Sequence, residues 1–108
     1  MIDPQMKRGL LEICVLAALL RGDSYGYQII KDLSRCITVS ESTLYPILRR
    51  LEGAGSLRVY SVAHNGRLLK MYAITEVGRQ QIDNFMAGWK EVTAIYDFIQ
   101  EASTDDKE

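Results

Sequence analysis

The sequence predicts a mainly α-helical chain with one small β-hairpin, arranged as a winged helix-turn-helix plus a long C-terminal dimerisation helix. Three observations lead there. Two short helical patterns follow one another across a brief break, as in a helix-turn-helix. Two strand-like runs, Leu57 to Val62 and Leu68 to Ile74, flank Asn65-Gly66, the dipeptide that most favours a two-residue hairpin turn. The last third carries an apolar stripe at alternating steps of three and four, the spacing of a helix seam. A length of 108 residues suits one small domain with an appended element. The expected division is a winged helix-turn-helix domain over 1–75, a dimerisation helix over 76–102 and a flexible polar tail over 103–108.

Each element has its own signals. Pro4 fits the first turn of a helix running to about Arg21, with Gly22 as its stop. Leu10, Leu11, Ile13, Cys14, Val15, Leu16, Leu19 and Leu20 make that helix apolar on more than one face, so it needs cover on two sides. Asp23 or Ser24 suits the cap of a second helix, about Tyr25 to Arg35, with Ile29, Ile30 and Leu33 turned inward. A third helix starts at Ser40 or Ser42 and stops at Gly53-Ala54-Gly55. Thr75 caps the last helix. There Ile82, Phe85, Trp89, Val92, Tyr96 and Ile99, widened by Met86, Ile95 and Phe98, form a stripe broader than a 75-residue domain can cover. A second copy of the chain is the expected cover, giving a homodimer.

Composition narrows the function. A hydrophobic content of 47% can build a core without disulfides or metal. Cys14 and Cys36 lack metal-ligand spacing and read as packed, reduced thiols of a cytoplasmic protein. Met1-Ile2-Asp3-Pro4 is acidic and leads straight into a helix, so no export signal is expected. The longest apolar run, Ile13 to Leu20, is too short for a bilayer, and no membrane partner is expected. No carboxylate pair, phosphate-cradling glycine loop or Cys/His cluster is present, so the sequence predicts no catalytic residue, no metal and no cofactor.

The net charge of −1 conceals a division along the chain. Up to Thr75 there are ten Lys/Arg against six Asp/Glu; beyond it there are three against eight. From Ser42 to Thr75 only Glu52 opposes Arg49, Arg50, Arg58, Arg67 and Lys70, which points to an anionic partner.

The third helix explains what that partner meets. Leu44, Ile47, Leu48 and Leu51 make its inner face, and Pro46 sits among them, where a helix interior loses about 3 kcal/mol. Placed at or just past the first turn, the proline removes at most one backbone bond. Ser42, Tyr45, Pro46, Arg49 and Arg50 then fall on the outer face, with Thr43 beside the helix start. The hydroxyls suit phosphates or base edges, Tyr45 and Pro46 suit thymine methyls or sugars, and the arginines are forks for phosphate or guanine. The opposing possibility is that Tyr45 and Pro46 pack on the second helix while the arginines pair with Glu41 and Glu52. On the hairpin, Arg67 and Lys70 can straddle a phosphate, and Asn65 or His64 can reach a minor groove; a lone histidine at a hairpin tip is also simply solvated.

The stretches GDSYGYQIIKDL, STLYPILRRLEGAGSL and YAITEVGRQQI, within roughly residues 9 to 90, resemble the PadR family of phenolic-acid-responsive transcriptional regulators. The resemblance implies a winged-helix protein that dimerises through its last helix, binds a pseudo-palindromic DNA operator and usually represses. It also implies DNA-facing roles for Tyr25, Ser42, Thr43, Tyr45, Pro46, Arg49 and the hairpin. The hairpin departs from the family pattern: Leu68, Leu69 and Met71 replace polar or aromatic positions. With one helix after the wing, the chain is similar to the short subfamily, some of whose members sense aromatic drugs between paired tryptophans at the dimer interface. Trp89 matches that tryptophan, and Ile13, Phe85 and Thr93 would line the pore with it. Simple packing in the dimer seam is the competing role for Trp89. A winged-helix module that binds protein and not DNA is the alternative function; it has no need of Arg49 and Arg50.

Overall fold

In the computed structural model, which describes residues 1–107, the chain order is α1 (Pro4–Ala18), α2 (Gly26–Leu33), α3 (Glu41–Gly53), β1 (Leu57–His64), β2 (Arg67–Ile74) and α4 (Glu76–Lys107). Asp3 caps α1, its carboxylate accepting from the backbone N–H groups of Gln5 and Met6 at 3.1 and 3.2 Å, with Pro4 just inside the helix. The helix ends at Ala18, earlier than its apolar run predicts. Gly22, at φ 152°, turns the chain so that Ser24 pairs with Tyr72 of β2 through two backbone hydrogen bonds of 3.0 and 2.7 Å.

That pairing overturns the expected cap of α2. Ser24 is held by the wing, and Asp23 accepts a 2.5 Å hydrogen bond from the Tyr60 hydroxyl. Tyr25 therefore occupies the N-cap position, in extended backbone and without a side-chain bond. The helix closes at Leu33, which leaves Cys36 exposed in the following turn, not packed as its neighbours suggest. Cys14 is half-buried, and burial, followed by the neighbouring Cys36 thiol, pushes its pKa up.

The core lies where α1, α2, α3 and the base of the hairpin meet. Val15, Leu16, Leu19, Ile29, Leu44, Leu48 and Leu57 are essentially inaccessible, and Tyr72 closes the layer from β2. Truncating a leucine so placed costs about 2–5 kcal/mol. The strands pair antiparallel from Leu57 opposite Ile74 to His64 opposite Arg67. Both turn residues have positive φ, 50° at Asn65 and 76° at Gly66, as the mirror-image turn of a two-residue hairpin demands.

The wing joins α4 through a tight corner. Thr75 donates its hydroxyl to the Gly55 carbonyl at 2.6 Å and accepts from the Gly78 N–H at 3.2 Å, so one side chain caps α4 and ties it to the end of α3. Ser56 adds a 2.8 Å hydrogen bond to Gln81. Gly78 is buried at this junction, and only glycine fits: a Cβ there would lie 2.2 Å from the Ser56 carbonyl oxygen.

Beyond that corner α4 leaves the domain. Its 32 residues extend about 48 Å at 1.5 Å each. The radius of gyration is 17.3 Å, against about 13 Å for a compact chain of this size. Ile82 and Phe85 are half-buried, and Met86 through Lys107 are exposed. The helix also continues past Ala102 through Lys107, where the sequence predicts a flexible tail; Thr104 bonds back to the Gln100 carbonyl at 3.0 Å within this stretch. Glu108 lies outside the described residues. Among the described residues no helix is long and apolar enough to cross a membrane, and no group of three or more His, Cys, Asp or Glu could hold a metal ion.

Candidate nucleic-acid interface

The outer face of α3 is set by its start. Ser40 is the N-cap: its hydroxyl accepts from the Thr43 N–H at 3.3 Å, and it lies 3.0 Å from the Ser42 hydroxyl and 3.2 Å from that of Thr43. Three hydroxyls thus cluster at the positive end of the helix dipole, an arrangement suited to an anion. Pro46 stands early in the second turn, just past the first as the sequence suggests, and denies the Ser42 carbonyl its helical donor. Because Ser42 is exposed, water or a ligand can supply the missing bond.

Leu44, Ile47, Leu48 and Leu51 are all buried, while Ser42, Thr43, Pro46, Arg49 and Arg50 are exposed, as the helical period requires. Tyr45 is different. It is half-buried, and its hydroxyl rests against Gly26 at the start of α2, where a Cβ would come within 2.3 Å of the phenolic oxygen. The ring braces α3 against α2. Tyr25 is likewise half-buried, one residue before this contact.

The two arginines part company. Arg50 swings to α1 and forms an ion pair with Glu12, not with Glu41 or Glu52. Its side chain remains 49% exposed and that of Glu12 23%, so the pair contributes about 0–1 kcal/mol and can open. Arg49 faces the wing. With Tyr45, Glu52, Val59, Lys70 and Tyr72 it lines a crevice of about 100 Å³ between α3 and the hairpin. The Tyr72 phenol there has a raised pKa, chiefly through burial and then through Tyr45 and Glu52, with Arg49 opposing.

On the hairpin, His64, Asn65 and Arg67 are exposed at the tip, and the Asn65 amide nitrogen is 3.3 Å from His64 Nε2. Arg67 and Lys70, three positions apart on one strand, fall on opposite faces. Lys70 lines the crevice beside α3 with Arg49, and Arg67 stands at the tip. Arg58 lies 5.4 Å from the centroid of the Tyr60 ring, which is anchored in turn to Asp23. Two contacts escape the sequence. The Arg49–Lys70 proximity needs the strand register, and the Arg50–Glu12 pair spans 38 residues.

On α4, Phe85 stacks on Trp89 with ring centroids 5.7 Å apart and planes 22° from parallel. Thr93 donates to the Trp89 carbonyl at 3.0 Å, and Ile13 is half-buried on α1, which packs against α4. Trp89, Val92, Ile95, Tyr96, Phe98 and Ile99 stay exposed, from 42% at Trp89 to 71% at Phe98. Trp89, Val92, Tyr96 and Ile99 share one face of the helix, an apolar ridge that the winged domain leaves open.

Comparison with known proteins agrees with this architecture. The model of the "Transcriptional regulator PadR-like family" matches residues 15–84. An uncharacterized protein of Lysinibacillus sphaericus is 31% identical over 107 residues, covering 94% of this chain and 97% of that one. A PadR family transcriptional regulator from Eggerthella lenta DSM 2243 superposes with TM-score 0.81 at 31% identity, over 90% of this chain and 87% of that one. A Streptococcus mutans UA159 protein gives TM-score 0.77 at 37% identity, over 94% of each chain.

Proposed function

The chain belongs to the PadR-like family of transcriptional regulators, and from that premise we propose that it is a homodimeric repressor of a pseudo-palindromic operator, released by a hydrophobic or aromatic effector at the dimer seam. The observation that carries the reading is the division of α3. Four leucine or isoleucine side chains are buried, while Ser42, Thr43, Pro46 and Arg49 stand exposed around a helix start, with Lys70 beside them. In this reading α3 enters the major groove, Tyr25 and Tyr45 touch its edge, and Asn65, Arg67 and Lys70 hold the flanking backbone. Arg50 joins when a phosphate competes with Glu12 for its guanidinium.

Two copies clasp through Ile82, Phe85, Trp89, Val92, Tyr96 and Ile99, covering the ridge that α4 leaves open. Two recognition helices then sit about 34–36 Å apart, one turn of DNA. An effector seated among Ile13, Phe85, Trp89 and Thr93 acts only if it prefers one dimer geometry over another.

The test is duplex DNA selected by the protein from a random library, titrated at rising salt. Binding should weaken with a slope near −0.9 per phosphate neutralised. A flat salt response would point instead to a protein-binding module. For the effector, hydrophobic aromatic compounds should quench Trp89 and lower operator affinity together; if both stay unchanged, the sensing role is discarded.

A further inference from the structure

We infer that α1 is part of the DNA-binding surface: Lys7 and Arg8, on its N-terminal half, form a cationic shelf that takes the phosphates of the strand bordering the groove entered by α3. The inference rests on the reading of α3 as the groove-entering helix, and it assigns contacts that reading lacks. Lys7 and Arg8 line one wall of an open groove of about 410 Å³, whose other wall is made by Ser42, Thr43, Pro46 and Arg50 of α3. The shelf therefore adjoins the outward face of α3 directly.

Helix stability does not explain these two residues. The first turn of α1 holds no acidic side chain, and two cations follow in the next turn, where the helix dipole, which fades within the first turn, supplies no reason for positive charge. Both side chains are exposed, and among the described residues neither forms an ion pair. Neither nearby acid is paired with the shelf: Asp3, the cap of α1, is turned onto the backbone of Gln5 and Met6, and Glu12 is engaged by Arg50. Two exposed cations outside any ion pair, beside an exposed helix face, are available to an anion.

The dimensions fit a phosphate backbone. A major groove is about 12 Å wide, and a helix with its side chains is about 10–12 Å across, so α3 fills it. A helix packed alongside has its axis about 8–10 Å away, which carries α1 out of the groove and over the strand at its edge. There Lys7 and Arg8 meet charges that bear no sequence information, so they add affinity and fix register without choosing bases.

The experiment compares wild-type protein with Lys7→Gln/Arg8→Gln and with the charge-keeping Lys7→Arg/Arg8→Lys, on a selected duplex and on an unrelated duplex about three helical turns long. The neutral variant should lower the salt slope by about 1 per residue and weaken both duplexes by a similar factor. The charge-keeping variant should match wild type. Circular dichroism and sedimentation check that all three share one fold and assembly. If wild type binds with a steep slope and the neutral variant is indistinguishable from it, the shelf is refuted while the role of α3 stands. If wild type binds neither duplex, both fall. A loss confined to the selected duplex would also overturn the inference, because phosphate contacts cannot discriminate sequence.

Discussion

Replacing Gly78 by alanine probes the corner that aims α4 away from the wing. The added Cβ would lie 2.2 Å from the Ser56 carbonyl oxygen and 2.7 Å from Ile74 Cγ1, against ordinary contact near 3.4 Å. The first neighbour is backbone, pinned by the Thr75 N–H to Ser56 carbonyl hydrogen bond of 3.2 Å, so the start of α4 has to move by about an ångström. Overpacking of this kind costs about 1–3 kcal/mol, and the better helix propensity of alanine returns up to about 1. A net loss of about 1–2 kcal/mol lowers the melting temperature by roughly 5–15 °C for a domain this small. Gly9→Ala is the control: it lies within α1, nothing is within 4 Å of its new Cβ, and it should raise stability by about 0.5–1 kcal/mol. Thermal denaturation followed by circular dichroism reads both. A Gly78→Ala protein that melts at or above wild type would refute the claim that this corner is sterically closed.

Three further outcomes follow from the site. Arg49→Ala should weaken DNA binding and reduce the salt slope by about 1, whereas Arg50→Ala should do less, since Glu12 already holds that guanidinium; Glu12→Gln should strengthen binding by freeing it, and equal effects of the two arginine variants in a binding titration would contradict the division. Ile99→Asp places a charge on the exposed ridge of α4 and should convert a dimer to monomer in sedimentation, with the melting of the winged domain retained; an unchanged sedimentation coefficient would remove that residue from the interface. The Tyr60 hydroxyl donates to Asp23, whose carboxylate accepts only from the neutral phenol and raises its pKa, with slight desolvation adding to the effect. A raised folded pKa means the bond helps at all pH values below the ordinary tyrosine range and is lost as pH rises through the folded value. An ultraviolet titration should therefore show one tyrosine ionising earlier in Asp23→Asn than in wild type.

Much of this was legible in local patterns because local physics produces it. Asn65-Gly66 dictates its turn through two positive φ angles that few other residues tolerate. The inner face of α3 follows from spacing alone, and Pro46 can be placed near a helix start without knowing what surrounds it. What stayed hidden depends on partners far away in sequence. The wing claims Ser24 by backbone pairing, a bond no local rule anticipates, and this displaces the cap of α2 to Tyr25. The destination of Arg50 depends on α1 lying beside α3, and the demand for glycine at 26 and 78 arises from Tyr45 and Ser56, remote side-chain and backbone atoms. The ridge on α4 was visible as a stripe, but only the fold shows that its own domain stops covering it after Phe85. At the proposed interface, the sequence marked the outer face of α3 and the hairpin tip; Lys7 and Arg8 look like ordinary solvated charges until α1 is seen against α3, where they line one groove with Ser42 and Arg50.

The central claim is geometric: two copies joined through α4 present two α3 helices one DNA turn apart. The measurement that meets it most directly is binding to duplexes carrying two copies of a selected half-site in inverted orientation, with their centres moved in single base pairs. Affinity should peak at a centre-to-centre spacing of about 10–10.5 base pairs and fall sharply when a half-turn is inserted. Affinity indifferent to that spacing, or equal on a single half-site, would contradict the account.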